Sequence, residues 1–217
     1  SDIKSNYSTL ETVMEDLYNE LGEMAAQDEK FLGVQTGFPG IDKQLLGLRA
    51  GQMIVVGARP GVGKTSFALN LAVNAAANGT TVAFFSLEMS KVEIAQRLLA
   101  AQARVSLQDI RAANIRDNQW QQLLQATVDL SHLDIMIDDT PGTTVTEVRA
   151  KARRMLHGKE KNALVILDYL QLVSPPSGGR RSDSRATEVS EMSRGIKIMA
   201  KDLGVPVVAL SQLSRQV

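Results

Sequence analysis

The chain contains no cysteine, and this absence excludes several kinds of chemistry. No disulfide can stabilise the fold, no thiolate can act as a nucleophile, and no Cys-ligated zinc site can form. The two histidines, His132 and His157, lie far apart and lack the spacing of metal ligands. We interpret both as ordinary surface or strand-edge residues.

Long apolar runs are also missing from the sequence. No segment approaches the roughly 20 apolar residues of a membrane span, and the polar N-terminus is unlike a signal peptide. We therefore expect a cytoplasmic protein with no membrane partner. Charge of one sign is not in excess either, because 24 Lys and Arg balance 24 Asp and Glu. Any contact with nucleic acid must then come from a local basic patch rather than from a basic domain.

The residues that are present have the composition of an ordinary globular protein. Of 217 residues, 44% are hydrophobic and 22% are charged, which suits one domain with a sizeable core. Strand-like and helix-like segments alternate, and this predicts an α/β fold with a mainly parallel, twisted sheet flanked by helices. The predicted strands are 52–57, 81–87, 133–137, 163–167 and 205–211, and the predicted helices are 66–77, 91–103, 118–130, 145–157 and 186–203.

The N-terminal segment predicts a separate amphipathic helix. A capping-box pattern joins Ser8 to Glu11, and the apolar residues that follow at helical spacing are Leu10, Met14, Leu17, Leu21 and Met24. A short helix is marginal alone in water, so the stripe packs either on its own domain or on a neighbouring subunit. We divide the chain accordingly into residues 1–30, a helix with its connector, and residues 31–217, the α/β domain.

A phosphate-binding loop of the Walker A pattern lies between the first predicted strand and the next helix. Small residues in this loop let successive backbone N–H groups surround phosphate oxygens, and the helix N-terminus faces the same anion. Lys64 supplies a charge to the β and γ phosphates, and the Thr65 hydroxyl binds magnesium. The candidate nucleotide-binding residues are Ala58, Arg59, Pro60, Gly61, Val62, Gly63, Lys64, Thr65 and Ser66. The cofactors we expect are therefore ATP and Mg²⁺.

Three more candidates follow other predicted strands. Asp168 ends an apolar strand about 100 residues after the loop, so we expect it to lie near the magnesium, because ligands bind at the carboxyl ends of parallel strands. Glu88 can orient or deprotonate the attacking water, although it can instead belong to the cap of the next helix. Gln212 is neutral and suits sensing of the γ-phosphate. For Asp138 and Asp139, before a Thr-Pro-Gly turn, we favour a role in stabilising that turn.

Taken together, these motifs resemble a known family. The chain is similar to the C-terminal, RecA-like motor domain of bacterial replicative DNA helicases of the DnaB type. The resemblance covers nearly the whole chain. It rests on Thr36-Gly37-Phe38 with Asp42, on the Walker A segment, on Ser86-Leu87-Glu88-Met89-Ser90, on Asp138-Asp139-Thr140-Pro141, on Asp168-Tyr169-Leu170-Gln171-Leu172 and on Ala209-Leu210-Ser211-Gln212-Leu213 with Arg215.

The resemblance implies an ATP-driven motor that moves 5′ to 3′ and forms a hexameric ring around single-stranded DNA. It implies that Glu88 is the catalytic base, that Asp168 belongs to the magnesium site and that Gln212 couples the γ-phosphate to movement. Lys64 would join them in catalysis. The N-terminal helix would be the family's linker helix, which packs on the adjacent subunit. Primase and a helicase loader would be partners of the full-length protein.

The chain departs from the family pattern in a few places. Leu46-Gly47-Leu48 stands where a Gly-Gly-Leu turn is usual, and Gly61-Val62 stands where Ser-Met is frequent. Neither change threatens phosphate binding. The family's arginine finger and a major DNA-binding loop normally lie beyond residue 217, so we expect a fragment that binds ATP but hydrolyses it slowly.

Contact with DNA has the weakest support in the sequence. Arg180, Arg181 and Arg185 lie in a Ser/Gly-rich loop and can contact phosphates, but an ordinary solvated loop explains them equally well. We interpret Trp120, in a predicted helix, as a packing residue. Two other functions remain open: a RecA-like recombination or repair ATPase, and a non-catalytic module in which ATP only joins subunits.

Overall fold

The computed structural model describes residues 8–26, 33–168 and 185–212 of the chain. Its helices are α1 (Leu10–Ala26), α2 (Pro39–Leu45), α3 (Lys64–Ala77), α4 (Lys91–Ala103), α5 (Leu107–Ala112), α6 (Asp117–Ser131), α7 (Val145–Met155) and α8 (Arg185–Leu203), with a 3₁₀ turn at Glu160–Asn162. Its strands are β1 (Met53–Ala58), β2 (Thr81–Ser86), β3 (Ile135–Asp138), β4 (Ala163–Asp168) and β5 (Val207–Gln212).

The five strands form one parallel sheet, as the alternation of strands and helices predicts. The strand order is β1-β5-β4-β2-β3, and every neighbouring pair is parallel. The register places Ala58 beside Gln212 and Ser86 beside Asp168. The strand ends that carry the candidate site residues therefore meet at one edge of the sheet.

The core lies in two layers, one on each face of the sheet. Successive strand residues alternate between the layers, so that Phe85 and Leu167 contact one layer while Phe84 and Ile166 contact the other. Helices α7 and α8 cover the first face, and α3 with part of α4 covers the second. Strands β2 and β4 are buried throughout, which explains why both read as nearly continuous apolar runs.

A buried carboxylate organises the segment before β1, and this segment contacts the helix that follows the phosphate loop. Asp42 accepts hydrogen bonds from the Thr36 backbone N–H at 2.8 Å, from the Thr36 hydroxyl at 2.8 Å and from the Gly37 N–H at 3.0 Å. Asn74 of α3 donates to the Thr36 carbonyl at 3.2 Å. The rings of Phe38 and Phe67 stack with centroids 4.9 Å apart. The segment that contains Thr36-Gly37-Phe38 and Asp42 thus packs against α3.

Several predicted boundaries and one predicted cap are wrong. Strand β5 begins at Val207, two residues later than predicted, because Pro206 has no N–H for the ladder and only accepts a bond from Val165. Helix α1 is capped by Thr9, whose hydroxyl accepts from the Thr12 N–H at 3.3 Å, rather than by the predicted Ser8 box. Helices α2 and α5 were not predicted.

Helix α1 keeps its apolar stripe exposed. Leu10, Met14, Leu17 and Leu21 are between 43% and 76% exposed, while the side chain of Met24 lies outside the described part of the structure. The chain's own domain therefore does not bury these four side chains. Among the described residues, none of the helices has the length and apolar character needed to cross a bilayer.

Candidate nucleotide site

The phosphate loop connects the end of β1 to the start of α3. Gly61 and Gly63 adopt φ angles of 79° and 97°, a left-handed conformation that disfavours residues with a Cβ atom. The Phe67 N–H donates to the Gly63 carbonyl at 2.9 Å, so the helix begins directly after the loop. The sequence pattern and the backbone geometry agree that residues 58–66 form a strand–loop–helix unit.

The N-terminus of α3 differs from those of α4, α5 and α7. Those three helices begin at Ser90, Ser106 and Thr144, whose hydroxyls accept hydrogen bonds from first-turn N–H groups. Helix α3 begins after Gly63, which has no side chain to offer. The first N–H groups of α3 are thus directed toward the loop, where a phosphate anion can accept from them.

A cleft of about 450 Å³ opens in front of this loop. Seven of the nine predicted nucleotide-binding residues line it: Arg59, Pro60, Gly61, Gly63, Lys64, Thr65 and Ser66. Ala58 ends β1, and Val62 is an exposed member of the same loop; neither of them lines the cleft. Glu88 and Gln212 lie in the same cleft. The fold therefore brings the candidates from three separate sequence regions together.

Asp168 is the buried carboxylate of the site. It is 1% exposed, and its Oδ1 atom has no hydrogen-bond partner among the described residues. Burial raises the pKa of Asp168, although a hydrogen bond from the Thr65 side chain and the charge of Lys64 oppose the rise. The nearby charge of Glu88 raises this pKa further. A buried carboxylate with an unsatisfied oxygen is suited to a cation.

The oxygen donors present here fit Mg²⁺. The Thr65 hydroxyl and the Asp168 carboxylate lie next to each other at the phosphate loop. Magnesium is usually held by one or two protein oxygens together with phosphate oxygens and water, and not by a cage of side chains. The described part of the chain has no cluster of three or more His, Asp or Glu that could hold a metal alone.

Glu88 does not belong to the cap of the following helix. That cap is a box between Ser90 and Glu93, in which the Ser90 N–H donates to the Glu93 carboxylate at 3.0 Å. Glu88 instead lies two residues beyond β2 and faces the cleft. Gln212 ends β5 beside Ala58, so an amide side chain closes the other side of the phosphate loop.

The paired carboxylates Asp138 and Asp139 have structural partners. Asp138 accepts from the Thr140 N–H at 3.1 Å and forms an ion pair with Lys151 at 2.8 Å. Asp139 accepts from the Lys91 N–H at 2.9 Å, and this bond holds the pKa of Asp139 below its ordinary value. The prediction that these residues stabilise the turn is confirmed for Asp138, while Asp139 contacts a different helix.

Arg97 is a residue of the cleft that sequence reasoning missed. It lies on α4, lines the cleft with Glu88 and Gln212, and its charge lowers the pKa of Asp168. Its Nε atom is buried and has no partner among the described residues. The available signal was its position one helical turn after Ile94, which is fully buried. A cation on the apolar stripe of a helix is a candidate for a buried anionic ligand.

The proposed DNA contacts lie largely outside the described structure. Arg180 and Arg181 fall between its described ranges, and Arg185 is the first residue of α8 with no described side chain. Trp120 is described and is 59% exposed on α6, so its interpretation as a packing residue is wrong for this chain alone.

A strand that ends in a phosphate loop, a helix that starts at its lysine and a buried aspartate at the end of another parallel strand define a P-loop NTPase domain of RecA-like fold. The chain belongs to the DnaB-like helicase C terminal domain family, whose model matches residues 33–217.

Curated relatives of the chain are replicative helicases. The chain is 41% identical over 216 residues to the replicative DNA helicase DnaC of Bacillus subtilis (strain 168), covering 98% of this chain and 46% of the relative. It is 39% identical over 214 residues to the replicative DNA helicase DnaB of Geobacillus stearothermophilus, covering 97% of this chain and 46% of that protein. The chain thus spans about half the length of these relatives.

Solved structures with similar sequences share the fold. The ATPase domain of G40P superposes with a TM-score of 0.86 at 34% identity, covering 97% of this chain and 73% of that one. A DnaB-like replicative helicase, described with its interactions with primase, gives a TM-score of 0.82 at 34% identity, covering all of this chain and 51% of that chain.

Proposed function

We propose that this chain is the ATP-hydrolysing motor domain of a replicative DNA helicase, which uses ATP to move 5′ to 3′ along single-stranded DNA and to unwind the duplex. The observation that carries the proposal is the convergence of the phosphate loop, Glu88, Asp168 and Gln212 at one edge of the sheet. Membership in the helicase family supports the substrate.

Each residue of the cleft has one role in this proposal. Loop amides and Lys64 would bind the phosphates, while Thr65 and Asp168 would hold a magnesium ion, which would supply positive charge to the phosphate oxygens. Glu88 takes the proton of the attacking water. Gln212 contacts the γ-phosphate and transmits its loss to β5, and Arg97 contributes a second positive charge beside Lys64.

We also propose that the protein assembles as a homohexameric ring through its ATP interface and α1. The apolar stripe of α1 needs a partner, and α6 offers one: Trp120, Leu124 and Val128 are exposed at four-residue spacing on one face. Docking of α1 from one copy onto α6 of the next would bury both stripes. The acidic residues of α1, with no basic residue in that helix, keep it away from the DNA path.

The remaining partners come from the family. Single-stranded DNA would run through the ring, and Arg180, Arg181 and Arg185 are candidates for contacts with its phosphates. Primase and a helicase loader would bind the full-length protein. We also propose a cytoplasmic location, where such an activity would meet replicating DNA.

Two substitutions in the full-length protein test the assignment of roles. Lys64→Ala should lose most of the affinity for Mg²⁺-ATP, because it removes the positive charge that would face the β and γ phosphates. Glu88→Gln should bind ATP normally but turn it over about 100-fold more slowly or worse, because a general base contributes at least that much. Fluorescent-nucleotide binding and steady-state hydrolysis measure the two effects separately. Normal turnover by Glu88→Gln would show that another group activates the water.

A further inference from the structure

The carboxylate of Asp139 bridges two elements at the edge of the sheet that carries the nucleotide cleft. Asp139 follows the last residue of β3, Asp138, which pairs with Phe85 of β2. Its Oδ2 atom accepts a hydrogen bond from the backbone N–H of Lys91, the first residue of α4, at 2.9 Å. The Lys91 ammonium group lies 3.7 Å from the other carboxylate oxygen. Edge strand β3 is thereby tied to the start of α4.

The local capping box of α4 does not involve this bond. The helix already has its own capping box, in which the Ser90 hydroxyl accepts from the Glu93 N–H at 3.3 Å and the Glu93 carboxylate accepts from the Ser90 N–H. Helix α7 begins with the same local box between Thr144 and Glu147. Asp139, by contrast, reaches α4 from 48 positions away in the sequence. Its main effect is to fix where α4 begins relative to the sheet.

The turn between β2 and α4, at whose end the Asp139–Lys91 bond lies, carries Glu88. On its other side, the Ser86 hydroxyl donates to the Met89 carbonyl at 2.6 Å, and the Leu87 N–H donates to the Asp168 carbonyl at 2.7 Å. Both of these contacts come from strands β2 and β4. The Asp139–Lys91 bond is the third anchor, and it is the one on the helical side of Glu88.

We propose that Asp139 is a positioning residue for Glu88, holding the turn between β2 and α4 so that the Glu88 carboxylate faces the phosphate loop. The inference rests on the proposed function, in which Glu88 activates the attacking water. Asp139 lines no part of the cleft and touches no reacting atom. Misplacing a catalytic group by about 1 Å can slow a reaction about 100-fold, so one lost anchor has a measurable effect.

Four variants of the full-length protein separate positioning from stability. Asp139→Ala removes the anchor, whereas Asp139→Asn keeps an amide oxygen that accepts from the Lys91 N–H. Lys91→Ala removes the ammonium group and its side-chain stem but keeps the backbone N–H that donates to Asp139. Thr144→Ala removes the hydroxyl that caps α7, a helix that carries none of the cleft residues, and is the matched control for lost helix capping.

We expect Asp139→Ala to lower kcat for ATP by about tenfold or more while nucleotide affinity stays within twofold of the wild type. Asp139→Asn, Lys91→Ala and Thr144→Ala should keep kcat within about twofold of it. In a Glu88→Gln background, Asp139→Ala should add less than about a twofold loss, because the group that it positions is already gone. Hydrogen exchange in nucleotide-free protein should speed up at residues 86–91 in Asp139→Ala but not in Asp139→Asn.

The inference is overturned if Asp139→Ala keeps the wild-type kcat, if its loss adds fully to that of Glu88→Gln, or if Thr144→Ala slows hydrolysis equally. Unchanged exchange at residues 86–91 overturns the anchoring itself, whatever the activity. Failure of the proposed function has a different signature, because the wild-type protein itself would then hydrolyse no ATP, or would hydrolyse it without separating DNA strands.

Discussion

At the scale of single residues, the nucleotide cleft places charges where water cannot solvate them. The Asp168 carboxylate is buried with one oxygen unsatisfied, and its pKa is raised by that burial. A carboxylate of this kind destabilises the empty protein when it is ionised. Its position is therefore explained by the cation that it would hold rather than by the stability of the fold.

Asp168→Asn should stabilise the nucleotide-free protein at pH 7 while abolishing hydrolysis of Mg²⁺-ATP. Replacing an unsatisfied buried charge by a neutral amide recovers about 1 kcal/mol, which corresponds to a rise in Tm of about 2–4 °C in a protein of this size. Thermal unfolding with and without Mg²⁺-ATP measures both effects. A lower Tm for the variant would show that the charge is compensated in the empty cleft.

The same residue predicts how that gain depends on pH. A carboxyl group with a raised pKa contributes stability that is full below its ordinary value of 3.8 and is lost as the pH rises through the raised pKa. The cost of the buried charge is therefore larger at pH 7 than at pH 4 in the wild-type protein, and the asparagine variant does not bear it. The difference in Tm between the two should shrink as the pH falls from 7 toward 4, and a constant difference would contradict the assignment.

Arg97→Gln should weaken catalysis with ATP without unfolding α4. Removing a charge-assisted contact costs about 1.5–3 kcal/mol, which corresponds to a loss of about 10–100-fold in kcat/KM. Arg104→Gln, which removes an exposed arginine at the end of the same helix, is the matched control and should leave kcat/KM unchanged. Equal effects of both substitutions on kcat/KM would show that Arg97 acts only through overall charge.

At the scale of elements, three helices end in the left-handed conformation without glycine. Leu46, Arg104 and Ala113 have φ angles of 54–55° at the ends of α2, α4 and α5. Residues with a Cβ atom occupy this region at a cost of about 1–2 kcal/mol. Leu46 also stands at the departure from the Gly-Gly-Leu pattern of the resemblance, so this departure carries local strain.

Leu46→Gly should stabilise the domain by about 0.5–1 kcal/mol. The strain that is relieved is partly offset by the greater freedom of glycine in the unfolded chain, about 0.4–1 kcal/mol. Leu45→Gly, one residue earlier and helical, is the control and should destabilise the domain by about 1 kcal/mol. Urea unfolding distinguishes the two variants, and destabilisation by both would mean that packing of the Leu46 side chain outweighs its backbone strain.

The long helices and the strands could be predicted from the sequence, whereas the two short helices could not. Each of the five predicted strands exists, because each contains a compact apolar run, and β2 and β4 are buried on both faces. Helices α2 and α5 have only seven and six residues, so neither shows a helical period in the sequence. Helix α2 begins at Pro39, and α5 is followed by Ala113 in the left-handed conformation. The later start of β5 could have been predicted from Pro206, which has no N–H to donate to a neighbouring strand.

Site residues could be predicted from the sequence where they lie at or next to the carboxyl end of a strand. Lys64, Glu88, Asp168 and Gln212 all lie at the carboxyl edge because parallel strands share one direction. Arg97 was missed because it reaches the cleft from the second turn of a helix rather than from a strand end, and its only signal was its spacing from the apolar Ile94. The roles of these residues stay predictions until the substitutions are measured.

At the scale of the whole molecule, two unburied apolar stripes argue for assembly. Leu17 belongs to the apolar stripe of α1 and Trp120 to that of α6, and both stripes are exposed to solvent in the described part of the chain. Leu17→Glu should therefore disrupt the ring of the full-length protein, since a charge would enter an apolar interface. Asn19→Glu adds the same charge to another face of α1 and should leave assembly intact. Light scattering after size-exclusion chromatography measures the mass of each variant, and an intact hexamer for Leu17→Glu would contradict docking through this stripe.

The most direct test of the motor function is unwinding of a forked DNA by the full-length protein, in parallel with its ATPase rate. We predict that single-stranded DNA stimulates hydrolysis, that strand separation requires ATP and a 5′ tail, and that Glu88→Gln abolishes both. Hydrolysis that DNA stimulates without separation of the strands would contradict the helicase assignment and favour a RecA-like recombination or repair ATPase. A rate of hydrolysis that ignores DNA would reduce the domain to a nucleotide-dependent assembly module.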